Sequence, residues 1–133
     1  MLGRERVKAY LKRIPKPVKD GVARQLEVEV GEFVAAVKRV APDDPATPGN
    51  ELAATTKSYP NRSRPLSHRV IVDARDGDGT FIGPKVEHGH RNLDGTHTPA
   101  RPWFFPTYRA RRKAMRRRMM AAGRKILRQL FPR

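Results

Sequence analysis

The apolar positions fall into helical stripes separated by breaks. Val7, Tyr10, Leu11 and Ile14 are spaced by 3, 1 and 3 residues, which predicts a short helix over residues 4–14. Pro15 and Pro17 end it, because an interior proline removes a backbone donor and collides with the preceding turn. Pro17 also suits the first turn of a second helix, where a missing N–H costs nothing. Over residues 17–40, Val18, Val22, Leu26, Val30, Phe33, Val34, Val37 and Val40 step by 4, 4, 4, 3, 1, 3 and 3, the strongest amphipathic pattern in the chain. Glu27, Glu29 and Glu32 are expected mostly on its polar face, with Lys38 and Arg39 near the C-terminus, where the helix dipole favours cations. Gly21 and Gly31 weaken such a helix by up to about 1 kcal/mol each relative to alanine.

Residues 41–66 hold five of the 12 prolines and predict a long, flexible, irregular loop. His68 to Ala74 is rich in β-branched residues and predicts a strand, and Asp76-Gly77-Asp78-Gly79 predicts a turn. Thr80–Gly83 and Lys85–Glu87 then read as the return strand of a β-hairpin over 68–88, with a bulge near Gly83-Pro84. A second loop covers 89–105. Pro106 opens a last helix over 106–130, where Tyr108, Met115, Met119, Ala122, Ile126 and Leu130 form one apolar stripe. The expectation is a single α+β domain over residues 1–133: a long amphipathic N-terminal helix and a basic C-terminal helix packed on a small antiparallel β-sheet, with long proline-rich loops.

Charge changes this picture. The chain carries 29 Lys+Arg against 13 Asp+Glu, a net charge of +16, of which +11 lies in residues 67–133. From Arg101 to Arg133 there is no acidic residue. Such a segment attracts polyanions: nucleic acid, an anionic membrane or an acidic protein face. No apolar run approaches the length of a membrane span, and the first residues lack a secretory apolar core. Cysteine is absent, which excludes a disulfide framework and a thiol enzyme.

The arginines of the last helix have two readings, a solvated face or contacts to phosphates or to an acidic neighbour. Trp103, Phe104 and Phe105 lie between prolines; they either anchor the final helix on the sheet or plug a neighbouring subunit. His88, His90 and His97, with Glu87 and Asp94, lack diagnostic metal-ligand spacing and read better as loop histidines. Asp76, Asp78, Thr80 and Glu87 match positions 1, 3, 5 and 12 of a calcium loop, but Phe81 stands where the turn needs glycine. Ser58, Ser63 and Ser67 lie in no nucleophile elbow, and no glycine-rich phosphate loop is present, so an enzyme is the least favoured class and no cofactor is expected.

Three segments resemble a family. One is Lys38-Arg39-Val40-Ala41-Pro42 followed by Thr47-Pro48-Gly49-Asn50-Glu51-Leu52. Another is Val86-Glu87-His88-Gly89. The third is Pro99-Ala100-Arg101-Pro102-Trp103-Phe104-Phe105-Pro106, leading into a basic helix. Together they resemble the gene-product-ten-like minor tail component family of long-tailed bacteriophages, the neck and tail-completion proteins. The resemblance implies a non-enzymatic virion part that forms a ring, a hexamer, at the head–tail junction, after a period in the host cytoplasm. Its partners would be the connector or stopper ring and the tail terminator or tail tube. The candidate subunit and partner contacts are then Leu52, Glu87, Trp103, Phe104, Phe105 and Tyr108. Arg109, Arg112, Arg116, Arg117 and Arg124 are the candidates for contact with DNA or an acidic partner. The alternative is a free-standing basic nucleic-acid-binding module that uses the arginine-rich helix as an electrostatic clamp. A basic amphipathic helix on an anionic membrane is weaker, because arginine nearly encircles the helix.

Overall fold

The computed structural model describes residues 2–43, 51–64 and 66–132. Helix α1 (Leu2–Arg13) gives way at Pro15 to α2 (Lys16–Val40). The Pro15 carbonyl accepts the first amides of α2, from Val18 at 3.1 Å and Lys19 at 3.2 Å, and Pro17 occupies the first turn. At the other end Ala41 is extended, as the residue before Pro42 prefers. The side chains of Val7, Tyr10 and Leu11 lie outside the described set, as does Thr47-Pro48-Gly49-Asn50.

The segment expected to be irregular contains order. A single-turn helix α3 (Glu51–Ala54) runs into strand β1 (Thr56–Pro60), which pairs antiparallel with β2 (His68–Val72), Thr56 opposite Val72 and Pro60 opposite His68. The hairpin therefore lies before His68 and not after it. Only Thr56 of β1 is buried, so the strand shows no apolar alternation to read. Thr56 Oγ1 donates to the Leu52 carbonyl at 2.6 Å, which lets a polar group sit in the core.

The predicted turn is present: Gly79 N donates to the Asp76 carbonyl at 3.0 Å, and Arg75 and Phe81 form an isolated bridge. The chain then enters helix α4 (Ile82–His88), not a return strand. Pro84 stands in its first turn, where no donor is needed, and Ile82 and Val86 are four apart on one face. Gly89, at φ +74°, closes the helix. The loop over 89–105 contains a two-residue strand pair, β3 (His90–Arg91) and β4 (His97–Thr98). The last helix, α5 (Phe104–Leu130), starts two residues earlier than the proline alone suggested. The architecture is α+β.

The core is Phe33, Val37, Ala41, Leu52, Ala74 and Trp103, with Val70, Val72, Ile82, Val86, Phe104 and Met115 packed against it. It lies where the C-terminal half of α2, the sheet, α4 and the start of α5 meet. Phe33 touches Phe104 and Tyr108 while Val18 faces Gly123, so α2 and α5 run antiparallel. At their far end they cross closely. A Cβ placed on Gly21 would overlap Ile126 Cδ1, and one on Gly123 would lie 3.3 Å from Val22 Cγ2. Glycine at both positions leaves room for the Ile126 and Val22 side chains at the crossing.

Candidate functional site

Helix α5 presents the candidate residues, and Glu87 fixes where it begins. One oxygen of the Glu87 carboxylate accepts the amides of Trp103 at 2.8 Å and Phe104 at 3.1 Å; the other accepts Phe105 at 3.0 Å. A helix start leaves amide donors unpaired and carries partial positive charge, so a carboxylate there is favoured twice over. Arg101 N donates to the Val86 carbonyl at 2.7 Å, which ties the incoming chain to the end of α4.

This reassigns three of the expected contact residues. Leu52, Glu87 and Trp103 are 6%, 6% and 4% exposed and serve the interior of the fold, so they are not surface contacts in this chain. Phe104 is half-buried against Phe33, with ring centroids 5.5 Å apart in edge-to-face packing. Of the aromatic set, Phe105 and Tyr108 remain on the surface, 46% and 43% exposed. The anchoring and plugging readings thus divide between neighbours: Trp103 anchors, and Phe105 is displayed.

Phe105 and Tyr108 line an open groove between α2, β2 and α5 with a volume of about 470 Å³. Leu26 and Val30 form the α2 wall, and Met115 and Met119 lie along α5. His68 lines the β2 side, and its buried Nδ1 has no hydrogen-bond partner among the described residues. Arg112 and Arg116 are the cations of the groove, both exposed.

Glu29 does not lie on the polar face of α2. It is 2% exposed and faces α5, where Arg118 grips it in two parallel bonds, Nε to Oε1 at 2.6 Å and Nη2 to Oε2 at 2.8 Å. Gln25 Nε2 adds a third at 2.9 Å. The Arg118 bonds hold the Glu29 carboxyl below its ordinary range, against the opposing effect of burial, and the Gln25 bond helps. Arg118 is one of many arginines in the sequence; nothing local marks it as the inward one.

The other candidate arginines, Arg109, Arg117 and Arg124, are exposed like Arg112 and Arg116, and none of the five makes an ion pair among the described residues. At about 100° per residue, Arg109, Lys113, Arg116, Arg117, Arg124 and Arg128 fall within roughly 120° of one another on the outer side of α5. The groove and this stripe share α5 but face different directions, with Arg116 on the border.

The metal alternatives gain no support from the geometry. His88 ends α4, His90 pairs with Thr98 across β3 and β4, and His97 is on the opposite strand. Among the described residues, no three His, Asp or Glu side chains cluster at metal-binding distance. In the Asp76 loop, Asp76 Oδ1 accepts the amides of Asp78 and Thr80, and its other oxygen meets Lys85 Nζ at 2.9 Å. No helix of the described residues is long and apolar enough to cross a membrane. No family model, curated protein or solved structure matches the chain.

Proposed function

We propose that this chain is a structural, non-catalytic virion protein of the phage head–tail junction, a neck or tail-completion component that assembles in a ring and joins the tail to the DNA-filled head. The observation that carries this reading is the open, mostly apolar groove with Phe105 and Tyr108 exposed at its edge, next to a cationic helix face whose outer arginines make no ion pair among the described residues. Large aromatic groups left exposed beside a concave surface mark a contact completed by another molecule. The resemblance supplies the neighbours: further copies in a hexameric ring, the connector or stopper ring, and the tail terminator or tail tube. Closed cyclic symmetry suits a part that surrounds a channel. An arginine stripe fits a channel crossed by DNA, since contact with passing phosphates needs no base reading.

The test combines the mass of the full chain in solution, alone and with extracted particles, with microscopy of particles carrying Phe105→Ser and Tyr108→Ser together. A defined ring, and heads and tails that form but stay unjoined in the variant, are expected. A lone monomer that never accompanies particles overturns the proposal.

One observation favours the second reading, a free-standing nucleic-acid clamp: Arg109, Lys113, Arg116, Arg117, Arg124 and Arg128 share the outer side of α5 from its second turn to its last, roughly 28 Å along the axis. A clamp would bind duplex DNA as a monomer, with log affinity falling by about 0.9 per phosphate contacted as log salt rises.

A further inference from the structure

We infer that the groove between α2, β2 and α5 receives an acidic amphipathic segment of a second, different protein, whose apolar side chains enter the groove while its carboxylates pair with Arg112 and Arg116. This rests on the assembly reading in one respect, that the groove is a contact surface; it adds the chemistry of the occupant.

Three features select that occupant. The walls are mostly apolar, and a volume of about 470 Å³ is enough for several side chains. Met115 and Met119 give one wall the adaptability that suits an irregular peptide surface. The cations beside it make no ion pair among the described residues, and Glu29, the acidic residue of the groove, is already held in two bonds by Arg118. Arg112 and Arg116 are therefore available to an incoming carboxylate.

Other occupants fit less well. A second copy that brought its own arginine-rich helix to this groove would set like charges together, so the contacts between copies in the ring lie on other surfaces. A nucleic acid backbone would satisfy the arginines but has no apolar side chain to bury against Leu26, Val30, Phe105 and Tyr108. An acidic segment with apolar residues on one helical face satisfies both halves of the site, in the helix-in-groove mode of recognition.

The probe is a fluorescein-labelled peptide of about 16 residues with leucine on one helical face and glutamate elsewhere. It is titrated with the purified full chain by fluorescence anisotropy, beside three comparators: the same composition in scrambled order, the same pattern with lysine for glutamate, and an unlabelled DNA duplex as competitor. The patterned acidic peptide should bind at least about tenfold more tightly than the scrambled one. Tyr108→Ser and Arg112→Glu should each weaken it by about tenfold, while Lys125→Glu, an equal change of charge away from the groove, should cost less than about threefold. Circular dichroism confirms that each variant is folded.

Equal binding of the scrambled peptide overturns the inference, because charge alone then suffices. Equal losses from Arg112→Glu and Lys125→Glu overturn it for the same reason. DNA that displaces the peptide, and whose own binding falls as much with Tyr108→Ser, also overturns it, since the groove would then be a nucleic-acid site. The assembly reading fails separately. A chain found in particles that ignores the patterned peptide refutes the occupant and leaves the neck role standing; a chain that binds the peptide and never enters particles does the reverse.

Discussion

Replacing Glu87 by alanine removes the acceptor of three backbone N–H groups at once. The Phe104 and Phe105 amides are part-buried and regain some water, so their loss resembles that of an ordinary cap, about 1 kcal/mol. The Trp103 amide is buried, and a buried donor left unpaired costs about 1–3 kcal/mol. Loss of a negative charge at a partly buried helix start adds up to about 1 kcal/mol that overlaps with the cap. A total of about 3 kcal/mol is expected. For a chain of 133 residues this is a fall of roughly 10 °C in Tm, at about 2.1 cal/mol/K of unfolding entropy per residue. Glu87→Gln keeps the shape but turns one acceptor into a donor facing a donor, and about half the loss is expected. The assay is thermal and urea unfolding of both variants, with hydrogen exchange at residues 103–105, whose amides should exchange faster. If both variants unfold within about 0.5 kcal/mol of the wild type and these amides keep their protection, the carboxylate does not fix the start of α5.

Gly89→Ala should destabilise by about 2–4 kcal/mol in urea unfolding, because φ is +74° and the new Cβ would sit 2.8 Å from the Thr98 carbonyl oxygen and 2.9 Å from the Ala100 amide nitrogen. Gly31→Ala should raise stability by about 0.5–1 kcal/mol, as nothing lies near its Cβ position, whereas Gly21→Ala should lose that gain and cost up to about 1 kcal/mol, because its methyl group must displace the end of the Ile126 side chain; an equal gain at both positions would mean that Ile126 swings aside freely. Glu29→Gln should destabilise at neutral pH. Because the Glu29 carboxyl is held below its ordinary value, its contribution is complete above the unfolded-state value near 4.5 and is lost as pH falls through the lower folded value. The stability difference between wild type and Glu29→Gln in urea should therefore shrink steadily as pH drops below about 4.5.

Local periodicity reveals the elements that carry a strong apolar stripe. The second helix is expected over 17–40 and spans Lys16–Val40; the strand from His68 and the Asp-Gly turn are where the residues put them. The Thr56–Pro60 strand escapes because it buries one residue in five, so its place is fixed by pairing with β2 rather than by its own pattern. The α4 helix does leave a signal in the residues. Pro84 suits a first helical turn as well as a strand edge, and the four-residue spacing of Ile82 and Val86 with a glycine at 89 favours the helix over a return strand. Glu29 also leaves a signal: it lies three residues after Leu26 and four before Phe33, on the apolar stripe itself. Its partner, 89 residues away, leaves none. The Glu87 cap is equally non-local, joining residues 16 to 18 apart through the fold.

The glycine crossing reaches beyond its own neighbourhood. Gly123 lies about 22 Å along α5 from Tyr108, at 1.5 Å per residue. Between them α2 and α5 are fastened twice more, by the Glu29–Arg118 pair and by Phe33 against Phe104 and Tyr108. The close approach at Gly21 and Gly123 is thus one of three fastenings that together set how far Val30 stands from Tyr108 at the groove.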